Sequence, residues 1–221
     1  MHRYPLAPTG SPTEVAEGAR ERQPAARRRV DPSELASWLR ERGERLGESW
    51  SDELRSRGLG NGSVIDRVVD TLVRRLVDFL PWLLGPYREQ SEPLWVRASE
   101  LFGAMAAKRG LAAGEVIEEF QVLRELVIRD LYRDPPLGGR VPLSLRDILR
   151  LNRAIDRGVT HASVGHTDTL FFQFFEAEGQ PLALAPDEVA REVETQLEVI
   201  LGEMRVVVEW ASAAGGNHRR P

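Results

Sequence analysis

Between DPPLGG at 134–139 and EGQPLALAP at 178–186, roughly thirty residues run without a proline, and their apolar positions recur at helical spacing. A segment of that length and period can only be one long helix, from Ser144 and Asp147 to about Ala177. The same punctuation divides the rest of the chain. Helices are expected from about 31 to 57, 64 to 80, 92 to 108, 113 to 132 and 187 to 211, separated by GLGNG, by Pro81, Gly85 and Pro86, and by Gly110. No stretch alternates with period two over a strand's length, so the fold class is all-α, a single bundle of about six helices.

The breaks give a domain plan. Residues 1–30, rich in Pro, Ala, Gly and Arg and ending in AARRRV, have no apolar period and read as a disordered arm. Residues 31–178 form the bundle, 179–186 a linker, 187–212 a C-terminal helix and 213–221 a tail. Asp31, Ser63 and Ser144 are the expected helix-capping residues. The first helix has a narrow apolar stripe on a charged surface and is expected on the outside of the bundle; the second, with a broad apolar face, is a core helix.

Composition excludes several chemistries. The chain has 221 residues and no cysteine, which removes disulfides, thiolate metal sites and cysteine nucleophiles. A net charge of -4 gives no case for a nucleic-acid surface. Charges at Asp66, Arg67, Asp70, Arg74, Arg75 and Asp78 interrupt the most apolar stretch, so no membrane insertion is expected and a cytoplasmic location is the default. There is no phosphate loop, HExxH or GxSxG pattern, and Glu115, Glu118 and Glu119 in EVIEEF lack the partner motifs of a di-iron bundle. Those three glutamates read as a solvated face. No catalytic residue, metal or cofactor is assigned.

Three features invite a functional reading. On the long helix His166 points inward, whereas His161 lies about 140° away around the helix, so one metal ion cannot hold both. Ala154, Gly158, Ala162 and Gly165 form a strip of small residues beside His166. A planar cofactor such as haem would fit beside small side chains with His166 as its ligand, but close approach of a neighbouring helix suits them equally and is the preferred account, with the second and fourth helices filling the space. Phe171, Phe172, Phe174 and Phe175 surround the helix, so one flanking helix cannot cover them all. Either the last helix folds back over them or a second copy of the chain does. In the last helix Leu197, Ile200, Met204 and Val207 belong to a coiled-coil-like seam that would serve a dimer or the helix's own bundle. Arg124 lies within an apolar arc and requires an acidic partner, for which Asp156 and Glu100 are candidates.

The segment LWVRASELFGAMAAKRGLAAGEVIEEFQVLRELVIRDL, followed by a proline-glycine break and LRDILRLNRAIDRGVTHASVGHTD, resembles the N-terminal sensor domains of the RsbRD, or RsbT co-antagonist, type, which also precede bacterial histidine kinases. The resemblance covers about 35–178 and rests on helix layout and the EEFQVLRE-like helix. It implies a non-catalytic sensory or regulatory module in bacterial stress-response or two-component signalling. Because no output domain follows the last helix, a signalling partner acting in trans is expected, together with a homodimer through Leu197, Ile200, Met204 and Val207 of the last helix and the Phe171–Phe175 end of the long one. The alternatives are a haem or small-molecule sensor using His166 and an enzyme with an unrecognised site.

Overall fold

The computed structural model describes residues 32–57, 64–136, 145–178 and 186–216. Six helices account for nearly all of them: α1 Pro32–Ser56, α2 Val64–Leu84, α3 Arg88–Lys108, α4 Ala113–Arg133, α5 Leu145–Glu178 and α6 Pro186–Gly216. There is no strand among the described residues, so the fold is all-α. The expected arm, most of the linker, the final residues and the capping residues Asp31, Ser63 and Ser144 lie outside them.

Two helix boundaries differ from expectation. α2 runs through Pro81 to Leu84. A proline so near a helix C-terminus forfeits one backbone bond, while Leu80, Leu83 and Leu84 stay on the buried face. α3 begins at Arg88, four residues before Glu92, and carries Pro93 inside it. Ser91 anchors this early turn, its backbone N–H and its hydroxyl both donating to the Tyr87 carbonyl at 3.1 and 2.9 Å.

The most extensive helix contact is between α3 and α5; α1 packs on α2 and α4, α4 on α5, and α6 across α2 and α3. At the centre stand Trp50 of α1, Phe79 of α2, Trp95 and Phe102 of α3, and Phe120 of α4, all fully buried. Phe102 and Phe120 meet edge to face with centroids 5.3 Å apart, and Trp50 lies 5.7 Å from each. Large rings in these arrangements supply apolar burial and a geometric preference for one packing.

Buried indoles also need acceptors, and each one found joins two helices. The Trp50 N–H donates to the Glu119 carbonyl at 2.9 Å, Trp95 to the Ala154 carbonyl at 3.1 Å, and Trp38 to the Asp134 carbonyl at 2.7 Å. α1 therefore does not simply lie outside. Its outer surface is charged as expected, but Trp50 places it in the aromatic centre, because one long side chain reaches where a narrow stripe of leucines does not.

Candidate functional site

The middle of α5 is built for backbone contact. A methyl group at Gly103 would overlap the Ala162 carbonyl, and one at Gly165 would overlap the Glu100 carbonyl. At Gly158 an added Cβ would lie 2.6 Å from the Trp95 ring and 2.7 Å from the Phe120 ring. The strip of small residues is thus filled by α3 and by rings from α3 and α4. The expectation of close packing holds, with a change of neighbour: α3 supplies the covering backbone, where α2 and α4 were expected to fill the space. Glycines at facing positions permit such an approach, and sequence spacing alone does not say which helices face.

His166 is 2% exposed and sits at the end of this crossing. Its Nε2 lies 2.7 Å from the carbonyl of Leu111 in the turn between α3 and α4. A carbonyl only accepts, so Nε2 carries the proton and Nδ1 is left as a buried acceptor with no protein partner. Of the two readings of His166, cofactor ligand or packed core residue, the geometry describes the second. The ring ties α5 to the α3–α4 turn, and the strip beside it is occupied by protein. His161, as its angle requires, points elsewhere, its Nδ1 2.9 Å from Oε1 of Glu100.

The same turn carries a buried ion pair. Gly110 adopts φ 78°, the left-handed conformation that ends α3, and Glu115 of α4 accepts a bond from the Ala112 amide at 2.7 Å. This sharp reversal brings Arg109 against Glu119, Nη2 to Oε1 at 3.1 Å, with both side chains 7% exposed. Arg109 Nη1 and Glu119 Oε2 have no protein hydrogen-bond partner. Burial raises the Glu119 carboxyl to about 6; Arg109 opposes the shift, Glu115 adds to it, and the Arg57 charge opposes it. Glu119 is not part of a solvated face, correcting that expectation. One helical turn separates it from Glu115, yet the α3–α4 turn and Trp50 cover it.

Arg124 pairs with Asp156, the partner expected from α5, whereas Glu100 pairs with His161. The arginine is about one quarter exposed and the aspartate 60%, so this tie lies at the edge of the α4–α5 contact and not inside it.

The end of α5 has the opposite character. α3 finishes at Lys108 and α4 begins at Ala113, on either side of the turn that His166 touches, while α5 runs on to Glu178, with Asp168, Thr169 and Phe172 still bordering α3 and α6. Phe171, Phe172 and Phe174 lie there, 60%, 65% and 66% exposed, with Leu170 beside them. Phe175 is on the same helix, but its side chain lies outside the described residues. Phe172 also borders a shallow groove of about 430 Å³ between α3, α5 and α6, with Glu100, Asp168, Gln196 and Val199 among its lining.

α6 does fold back, but not over the phenylalanines. Leu197, Ile200, Met204 and Val207 are buried with Val189 and Val193 in the chain's own core, across α2 and α3. This corrects their assignment to a dimer interface. A four-three repeat marks a buried face without naming its partner. What α6 turns outward is Val199, Val206 and Trp210, all at least 42% exposed.

Among the described residues no helix is long and apolar enough to cross a membrane, and no group of three or more His, Asp or Glu side chains is placed to hold a metal ion. No family model matches the chain, and no curated protein or solved structure shows significant similarity to it.

Proposed function

We propose that this protein is a non-catalytic sensory or regulatory module that works by protein–protein contact, with the exposed end of α5 as its docking element. The observation that carries the reading is the cluster of Phe171, Phe172 and Phe174, each at least 60% exposed on the last turns of α5. Burying one phenylalanine is worth about 1.5–3 kcal/mol, so three neighbours held in water favour any surface that covers them. The EEFQVLRE-like helix supplies the class of process, bacterial stress-response or two-component signalling, and hence a signalling protein as partner, alongside a homodimer. Helix contacts at Gly103, Gly158 and Gly165 support a rigid interior over a ligand chamber.

A photo-crosslinking residue in place of Phe172, introduced in the native host, tests this. The expected product is a kinase, phosphatase or sigma-factor regulator that is not captured from the exposed position Arg75, and whose binding in purified form is weakened by Phe172→Asp. Identical products from both positions, or a purified partner indifferent to Phe172→Asp, would sink the reading.

A further inference from the structure

The exposed phenylalanines are one end of a longer feature. Opposite the buried Leu151, Ile155, Ala162 and His166, the solvent side of α5 carries Leu149, Arg153, Thr160, Val164, Phe171 and Phe174, all exposed. Leu149 is 48% and Val164 42% exposed, unusual for aliphatic side chains on a helix that otherwise buries its apolar residues. The stripe runs from one end of the helix to the other, about 37 Å from Leu149 to Phe174.

Its charge is divided by sequence. The first half of α5 holds Arg146, Arg150, Arg153 and Arg157, with Asp147 and Asp156. From Ala162 onward there is no arginine or lysine, and the acidic residues are Asp168, Glu176 and Glu178. Within its own chain Asp156 pairs with Arg124, and Arg157 with Glu92.

We propose that a second copy of this chain packs antiparallel along the outward face of α5, with the two-fold axis passing near Ala162. The inference rests on the docking role of α5 and names one occupant and its orientation. Turned end for end about that axis, the stripe meets itself in register. Leu149 faces Phe174, Arg153 faces Phe171, Thr160 faces Val164, and Arg157 comes beside Asp168. Each end therefore places an apolar or guanidinium group over a phenylalanine, a favourable stacking for the arginine. The basic half of one helix lies against the acidic half of the other. A parallel pairing sets Arg153 against Arg153 and Arg157 against Arg157, and such like-charge contacts are unfavourable. Two copies so arranged also form an isologous, closed interface that leaves no apolar stripe to propagate.

Because the chain has no cysteine, single introduced thiols report without background. The full chain is prepared as Leu149→Cys and as Phe174→Cys, and the two are oxidised mildly, mixed and separately. Both sites are exposed, and unchanged thermal unfolding of each variant shows that the fold is kept. The antiparallel pair predicts a disulfide in the mixture, joining position 149 of one chain to position 174 of the other, and severalfold less product from either variant alone. In that arrangement two copies of position 174 stand about 37 Å apart, beyond the reach of any disulfide. Efficient self-linking of Phe174→Cys would mean a parallel or end-to-end dimer and would overturn the proposal, as would a chain that remains monomeric in light scattering and links in no combination. If that happens while Phe172 still captures a signalling partner, only the dimer falls. A linked antiparallel dimer without such a partner removes the docking role in signalling and leaves the dimer standing.

Discussion

α5 is one continuous helix with two opposite environments. Along its middle, Gly158, Ala162 and Gly165 leave no room for larger side chains: the backbone of α3 lies directly against Ala162 and Gly165, and the Trp95 and Phe120 rings against Gly158. Past His166 the same helix carries four bulky apolar residues in succession, Leu170 to Phe174 interrupted only by Gln173, and three of them are phenylalanines in water. Small residues mark where the fold is closed, and large ones where it is open, the reverse of what hydrophobicity alone would predict. Residue size on a long helix reads the distance to the next backbone, whereas exposure depends on whether another element is there at all.

The sharpest way to break this contrast is to add one methyl group. Gly103→Ala and Gly165→Ala should each destabilise the protein by about 2–3 kcal/mol in urea unfolding, because the collision is with a carbonyl group and not with a side chain that can rotate away. Alanine's better helix propensity, about 1 kcal/mol, offsets only part of that. Gly202→Ala on α6, where an added Cβ meets nothing, should instead stabilise by about 0.5–1 kcal/mol. Equal effects at Gly103 and Gly202 would mean that α3 and α5 do not touch backbone to backbone.

The next effect is smaller and depends on pH. Glu119 is raised to about 6 from 4.5 by burial beside Arg109, Glu115 and Arg57. In the folded protein it holds a proton between pH 4.5 and 6 that the unfolded chain has released. Its contribution to stability is therefore greatest below pH 4.5 and is lost as pH rises through 6, about 2 kcal/mol in all. Burial also raises Asp78, and Asp70 is lowered despite its partial burial by Ser51, Arg55 and Arg74, so the measured quantity is the difference between wild type and Glu119→Gln. Chemical denaturation at pH 7 and pH 5 should show wild type gaining about 1 kcal/mol on the variant at the lower pH, with the rest appearing below pH 4.5. A constant difference would place the Glu119 carboxylate in water.

Arg124 and Asp156 make the corresponding surface case. Each was legible as a partner of the other, but the pair sits where solvent reaches it, so Asp156→Ala should cost under about 1 kcal/mol. That is well below what a buried pair loses when one member is removed, about 3–5 kcal/mol, and the Arg109→Ala variant should approach that larger range.

The two ion pairs show what could be read from the sequence. Helix number, class and most boundaries followed from proline and glycine breaks and from the 3.6-residue period, because those are local properties. The inward direction of His166 and the divergence of His161 followed from angular position on a single helix, and Asp156 was one of two acidic partners, with Glu100, open to Arg124. Which helix faced which did not. The Arg109–Glu119 pair requires the left-handed Gly110 to fold the chain back on itself, and the glycine was legible only as a helix stop. Likewise the seam of Leu197, Ile200, Met204 and Val207 was visible, but its partner, the surface of α2 and α3, is a tertiary fact. Trp50 was one position in a stripe until two neighbouring helices, α3 and α4, supplied rings against it.

The smallest expected effect lies on the open side of the contrast. Replacing Phe171, Phe172 or Phe174 singly by alanine should change stability by less than about 0.5 kcal/mol, since each side chain is already largely hydrated and leaves no cavity. Such a result is informative because phenylalanine-to-alanine changes in a core typically cost about 3–5 kcal/mol. The same substitution at Phe120, fully buried among Trp50, Trp95 and Phe102, should reach that range. Thermal unfolding monitored by tryptophan fluorescence measures both, as Trp50 and Trp95 sit on Phe120 and far along the chain from the end of α5. A cost of several kcal/mol at Phe172 in dilute protein would mean that the end of α5 is covered within one chain. A cost that appears only as the concentration rises would mean that the cover comes from a second copy, because stability then includes the free energy of association.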